Sequence, residues 1–324
     1  MKIKAYVVLV FTCILLLAVL CARSSSPAGL IPEPSDGAPA QPQSYILPSE
    51  AGTWIPPASH TGRKPTGTGT IRIEDIGEFS FDASKIQSAR PDIFQQGYFS
   101  LFDILLYLDR QGDIALDYHF DDAMDTHVVD AINSKKGWWY QAHYSAGWFE
   151  NNVFRMDMYP YKDGTTIRMS GENERRLVNV YRTFQEEVVR LESNGGNIII
   201  PEVTIRSHEV KKNFYDVVVV PHDVRSDVLK PGVVTALDIL LSLAERGELS
   251  LLKLTWYEGI DGADPVDSYW VEQIDEAEAF GRCGFVYETG PTVFPGSAGS
   301  HIHIPSDTRV IVSPEYALWF WICL

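Results

Sequence analysis

The sequence predicts an α+β protein: two tandem small domains, each with one helix packed on a small sheet, placed after an N-terminal apolar segment and a linker. Three observations carry this. One helical block occurs twice, runs of period-two hydrophobicity flank both copies, and the first 69 residues differ in composition from the rest.

Lys2 and Lys4 precede an apolar run from Ala5 to Ala22, interrupted only by Thr12, Cys13 and Cys21. A short basic stretch followed by an apolar one is the pattern of a secretion signal. At about 18 residues the run is also long enough to cross a bilayer as an uncleaved anchor, with the two lysines inside and the body outside. A third reading is lipidation at Cys21, because Leu17-Ala18-Val19-Leu20 is similar to a bacterial lipobox with Leu20 where a small residue is expected. Residues 1–23 are therefore expected to be a signal peptide or membrane anchor, and the body is expected in the cell envelope or outside the cell. Residues 24–69, rich in Ser, Pro and Gly, read as a linker.

The net charge is −16, and the first 23 residues contribute only bases, so the body is more acidic still. Such a surface repels a phosphate backbone, which excludes nucleic acid as a partner class. Membrane contact is expected only through residues 1–23. Beyond Cys21 the cysteines are Cys283 and Cys323; an oxidising compartment permits a bridge between them, and the sequence leaves the pairing open.

The block Gly97-Tyr98-Phe99-Ser100-Leu101-Phe102-Asp103-Ile104-Leu105-Leu106-Tyr107-Leu108, closed by Gly112, returns as Gly232 to Leu243, closed by Gly247, at one ungapped offset. Ser100 and Thr235 are placed to cap the helix, each with an aspartate three residues on, and Gly112 and Gly247 are placed to end it. Strand-forming runs precede each helix, at 70–81 and 202–220. Alternating strands follow it: Leu116, Tyr118 and Phe120 in the first copy, Leu252, Leu254 and Trp256 in the second. Val129 to Asn133 is echoed by Val271 to Asp275, and Tyr159 to Ile167 by Ile304 to Ile311. The domains are expected at 70–170 and 198–324, joined by 171–197, in which Arg175 to Glu192 reads as an amphipathic helix serving as spacer or brace.

The first copy, with Gly97 to Leu108, Ile132-Asn133, Gly137-Trp138-Trp139-Tyr140 and Tyr161-Lys162-Asp163-Gly164, resembles the small β-grasp-like domain at the C-terminus of transcobalamin and intrinsic factor, relatives of which bacteria carry on their surfaces. The second resembles it through its helix, with Gly281-Arg282-Cys283-Gly284 in place of the tryptophan strand. The resemblance implies tandem β-grasp-like binding modules. No cofactor is read from the residues themselves. Cobalamin enters through the resemblance alone, and the large helical domain that completes the cobalamin site of those carriers has no counterpart in these residues.

Trp138, Trp139 and Tyr140 alternate on one strand, so a domain with a single covered sheet face leaves one set exposed. With Tyr144 and Trp148 nearby they form the candidate ligand face. Asp117, His119 and Asp121 share a strand face and are weak metal candidates, as are His301 and His303, a pair that needs further ligands. No nucleophile elbow, zinc-protease helix, Walker loop or dinucleotide fingerprint occurs. The expectation is a binding or interaction protein rather than an enzyme, with a small ligand or a surface protein as partner. The alternatives are a metal-dependent enzyme on His301 and His303, and a structural subunit of a surface assembly docking through the apolar tail from Ala317.

Overall fold

Two halves of the chain repeat one strand order around one helix, and both belong to the compact unit spanning residues 42–324. The computed structural model describes residues 60–143, 152–259, 265–294 and 304–323, together with the backbone of 44–48. The expected signal or anchor at 1–23 lies outside the described residues. Among those described, no helix is long and apolar enough to cross a membrane.

In the first half a hairpin of β2 (Thr68–Ile73) and β3 (Gly77–Asp82) leads to α1 (Leu101–Gln111). A second hairpin follows, β4 (Leu116–Asp121) and β5 (Thr126–Ile132), and then β6 (Trp138–His143) and β7 (Thr166–Gly171). The main sheet has the order β3-β2-β7-β6, with β2 and β7 parallel at its centre. After α2 (Glu174–Ser193) the second half repeats the plan: β8 (Ile198–Arg206), β9 (Lys211–Val219), α3 (Ala236–Glu245), β10 (Leu251–Gly259), β11 (Pro265–Ile274), the short β12 (Ala277–Glu278), β13 (Cys283–Gly290) and β14 (Tyr316–Cys323). Its main sheet runs β9-β8-β14-β13, again with a parallel central pair. The strand β1 (Ser44–Pro48) adds to the edge of β10. The architecture is α+β.

The two helices start for the same local reason. Asp103 accepts the Ser100 N–H at 2.7 Å and Asp238 accepts the Thr235 N–H at 2.6 Å, each completing a capping box. Their apolar faces are the centres of two cores, one around Ile71, Phe99, Leu105, Trp138 and Ile167, the other around Val203, Leu240, Leu254, Phe285 and Trp319. The turn after the second hairpin also repeats. Asn133 and Asp275 both have a φ of 50° and accept the N–H of Ala115 and Ser250 at 2.7 and 2.6 Å.

Several expectations are corrected by this register. The strand matching Trp138–Tyr140 is Phe285-Val286-Tyr287 after Gly284: Tyr140 pairs with Met169 and Tyr287 with Trp319 at equivalent places in the two sheets. Val310, not Pro305, stands where Pro160 stands, since Ser100 bridges Pro160 and Thr235 bridges Val310. The apolar tail is a core strand, with Ala317 and Trp319 buried. Cys283 and Cys323 form a disulfide between β13 and β14. Strand β4 is not half-buried: Tyr118 and Phe120 are exposed, because among the described residues β4 pairs only with β5, whereas β10 also carries β1 and keeps Leu252, Leu254 and Trp256 buried. Part of the expected linker is held in place, as β1 and residues 60–67 attach to the repeats.

Candidate functional site

The aromatic strand is core. Trp138 is 1%, Trp139 7% and Tyr140 1% exposed, so the expectation of an uncovered tryptophan is not met. The covering layer is α2, which lays Tyr181 and Phe184 against Trp139 at ring separations of 5.9 and 6.3 Å. The polar atoms are also satisfied inside: Trp139 Nε1 donates to the Asn152 carbonyl and the Tyr140 hydroxyl to the Phe154 carbonyl, both at 2.6 Å. The space left beside them is about 20 Å³, too small for an organic ligand. Tyr144, Trp148, His301 and His303 lie outside the described residues. Asp117 and His119 are exposed; His119 reaches Asp130 at 2.7 Å and lies 4.0 Å from Asp121. Among the described residues no group of three or more His, Cys, Asp or Glu side chains is arranged to hold a metal ion.

The structure instead brings together residues from both repeats around a cleft of about 310 Å³. Its base is set by a motif that the repeats share. Arg90 binds Asp92 through Nε at 3.0 Å and Asp157 through Nη1 at 3.1 Å. Arg225 binds Asp227 through Nε at 3.0 Å and Asp307 through Nη1 at 2.8 Å. Asp157 and Asp307 have no solvent exposure. Burial opposes the charge of Asp157, yet the hydrogen bond from His127 and the adjacent Arg90 hold its carboxyl below the ordinary value.

The two clusters also differ at the hairpin aspartate, and the cleft lies there. In the first repeat the Asp125 carboxylate is taken by Arg90 itself, at 2.9 Å. In the second, the buried Asp267 is gripped by Arg63, through Nε at 2.9 Å and Nη2 at 3.0 Å. Arg63 belongs to a strap, residues 60–67, that crosses the cleft. Asp227 accepts the Gly62 N–H at 2.7 Å, and Asp163 accepts those of Thr66 and Gly67 at 3.0 and 3.1 Å. The Tyr98 hydroxyl donates to the Gly62 carbonyl at 2.6 Å. Gly62 is required by close approach, since a Cβ there would lie 2.6 Å from Arg225 Nη2.

Lys162 lines the cleft and donates to the Val266 carbonyl across the repeat boundary. Loss of water around the ammonium group and the nearby Arg225 guanidinium push its pKa down to about 8, against the pull of Asp307, Asp267 and Asp227. Tyr98, Pro160, Tyr161 and Val228 supply apolar wall, and Lys64 stands at the mouth with its ammonium 5.9 Å from the centre of the Tyr98 ring. A broader groove of about 690 Å³ beside α2 is walled by Val189 and Val293, both about half exposed, and encloses less. Such a cleft can hold a compact molecule with an apolar body and an acceptor or anionic group facing the lysines.

Sequence reasoning missed this site. A signal was present: Arg90-x-Asp92 and Arg225-x-Asp227 share the offset of the helical block. Lys162 was visible only as part of the Tyr161 to Gly164 stretch. Nothing in the sequence pattern tied the strap to either repeat. No protein family, curated protein or solved structure matches the chain.

Proposed function

We propose that this chain is an exported ligand-binding protein of the cell envelope or exterior, built of two tandem β-grasp-like domains, with its ligand seat in the cleft between them. The reading is of a binder and not of an enzyme. One observation carries it: a cleft of about 310 Å³ whose lining comes from both repeats and whose cover is pinned by aspartates from both. A volume at the small end of ligand pockets suits a compact organic molecule. It does not suit a corrinoid, so cobalamin is no part of the proposal.

The β-grasp-like reading, and with it the likeness to the transcobalamin and intrinsic-factor domain, is supported by the shared order of hairpin, helix, hairpin and two closing strands, and by the parallel central pair in each sheet. Export is supported by the basic and apolar start of the sequence and by the disulfide, a bond that persists in oxidising compartments.

Benzoate is a suitable probe, with benzylamine as the control of opposite charge. In an NMR titration of residues 42–324, the backbone amides of Tyr98, Lys162 and Arg225 are expected to shift with benzoate and not with benzylamine. Equal response to both, or shifts confined to other surfaces, would contradict this ligand seat.

A further inference from the structure

Arg309 is buried at the junction of the repeats, 4% exposed. In the first repeat its place is held by the neutral Tyr159: the carbonyls of Tyr159 and Arg309 accept the N–H groups of Leu101 and Ala236, the first residues of the two helices. The charge is therefore present in only one copy of a shared framework. Its guanidinium donates from Nη2 to the Thr289 carbonyl at 3.3 Å and lies over the Phe154 ring, 3.6 Å from its centre. Nε and Nη1 are buried and have no hydrogen-bond partner among the described residues. The stack covers the flat face of the group, whereas its N–H bonds lie in the plane, so stacking leaves both donors unmet.

Nor is the charge balanced. The neighbouring Arg155 is fully engaged, with Nε on the Met124 carbonyl at 2.8 Å, Nη2 on the Phe184 carbonyl at 3.0 Å and Nη1 on Glu187. Glu187 thus answers Arg155, and two guanidinium groups share one carboxylate. The hydroxyls of Tyr140 and Tyr287 donate to the carbonyls of Phe154 and Ile304, and burial keeps both phenols protonated, so neither supplies negative charge. Burial pulls the Arg309 pKa down from its ordinary value, but a guanidinium remains charged in proteins. An unpaired buried charge is costly, and buried charges are accordingly paired.

Beside these donors is a cavity of about 10 Å³ lined by Arg155, Glu187, Thr289 and Arg309. That is room for one water-sized particle. A water would accept the hydrogen bonds and leave the charge unbalanced, and a carboxylate or phosphate group is too large. We propose that this cavity is a halide site, filled by one chloride ion that accepts from Arg309 Nε and Nη1 and ties the two repeats together at their junction. The inference is independent of the ligand seat in the cleft.

Crystals grown or soaked in sodium bromide test it directly. An anomalous bromide peak is expected within hydrogen-bonding distance of Arg309 Nε and Nη1. In parallel, the melting temperature of the wild-type protein is compared in bromide, chloride and gluconate at one ionic strength. It is expected to rise with halide and not with gluconate, by roughly 3 °C per tenfold of halide above the dissociation constant. Arg309→Met is expected to abolish both the peak and the halide dependence. Absence of a peak at Arg309, or identical melting of the wild type in halide and gluconate, would overturn the proposal. Both wild-type measurements decide it even where the variant does not fold.

Discussion

Phe94 and Leu229, which hold the same position in the two repeats, pair with each other in an antiparallel bridge. Around them the hydrogen bonds are reciprocal: Gln95 N–H donates to the Val228 carbonyl and Lys230 N–H to the Ile93 carbonyl, both at 2.8 Å. Equivalent residues meeting each other is the signature of an isologous contact, the arrangement found at the axis of a two-fold dimer. Here it joins two halves of one chain. It also sets the Arg90 and Arg225 clusters on either side of the same junction, since both arginines lie four residues before the bridging residue.

The shared clusters should carry similar energetic weight. Asp157→Ala leaves Arg90 buried without its innermost partner, and Asp307→Ala does the same to Arg225. Each substitution is expected to cost about 3–5 kcal/mol of unfolding free energy, measured by urea denaturation. A loss below about 1 kcal/mol in either variant would mean that the cluster does not organise its repeat.

His222 gives a pH dependence of known sign. Burial opposes its charge, but the hydrogen bond and charge of Asp238, at 2.9 Å, and Glu245, at 3.3 Å, outweigh burial and raise its pKa. The folded state therefore holds this proton more tightly than the unfolded state. Its contribution is fully present below about pH 6.5, the unperturbed value, and is lost as the pH rises through the raised folded value. His222→Gln is expected to flatten the decline in melting temperature over that range. An unchanged decline would remove His222 as its source.

Much of the fold was legible in the residues. The capped helical block, its offset, the hairpins around it and the Asn133 and Asp275 turns all come from local chemistry that short sequence windows contain. What failed was covering. Trp138 and Trp139 alternate as an amphipathic strand would, and only the position of α2, a tertiary matter, shows that both sides are buried. The matching of Phe285 to Tyr287 with the tryptophan strand was hidden because their register is fixed by pairing with β14, not by shared residue types. The cleft was least legible, because its lining is drawn from six separate stretches brought together by the bridge at Phe94.

Lys162 should titrate apart from the other lysines. With its pKa pushed down to about 8, its amine is expected to reach half-maximal reactivity with acetic anhydride near that pH, against about 10.4 for ordinary lysines, followed by peptide mass spectrometry. The sign for stability is the reverse of that for His222. Between about pH 8 and 10.4 the unfolded chain holds the proton more tightly, so this lysine adds stability as the pH rises. A reactivity profile matching that of the exposed lysines would contradict the enclosed site.

The disulfide links two strands of the second repeat across a separation of 40 residues. Cys283→Ser with Cys323→Ser is expected to lower the unfolding free energy by about 2–4 kcal/mol, and non-reducing peptide mapping of exported protein is expected to recover the linked pair. Recovery of free thiols at both positions would contradict the oxidising compartment that the proposal requires.

The affinity of one variant decides whether the cleft is the ligand seat. Benzoate is titrated into the wild-type protein and into Lys162→Met, with the fold of each checked by circular dichroism and melting temperature. If the anion is held in the cleft, removal of the amine should weaken binding about tenfold or more, a loss in line with a charged hydrogen bond. Equal affinity of a folded Lys162→Met variant and the wild type would contradict it.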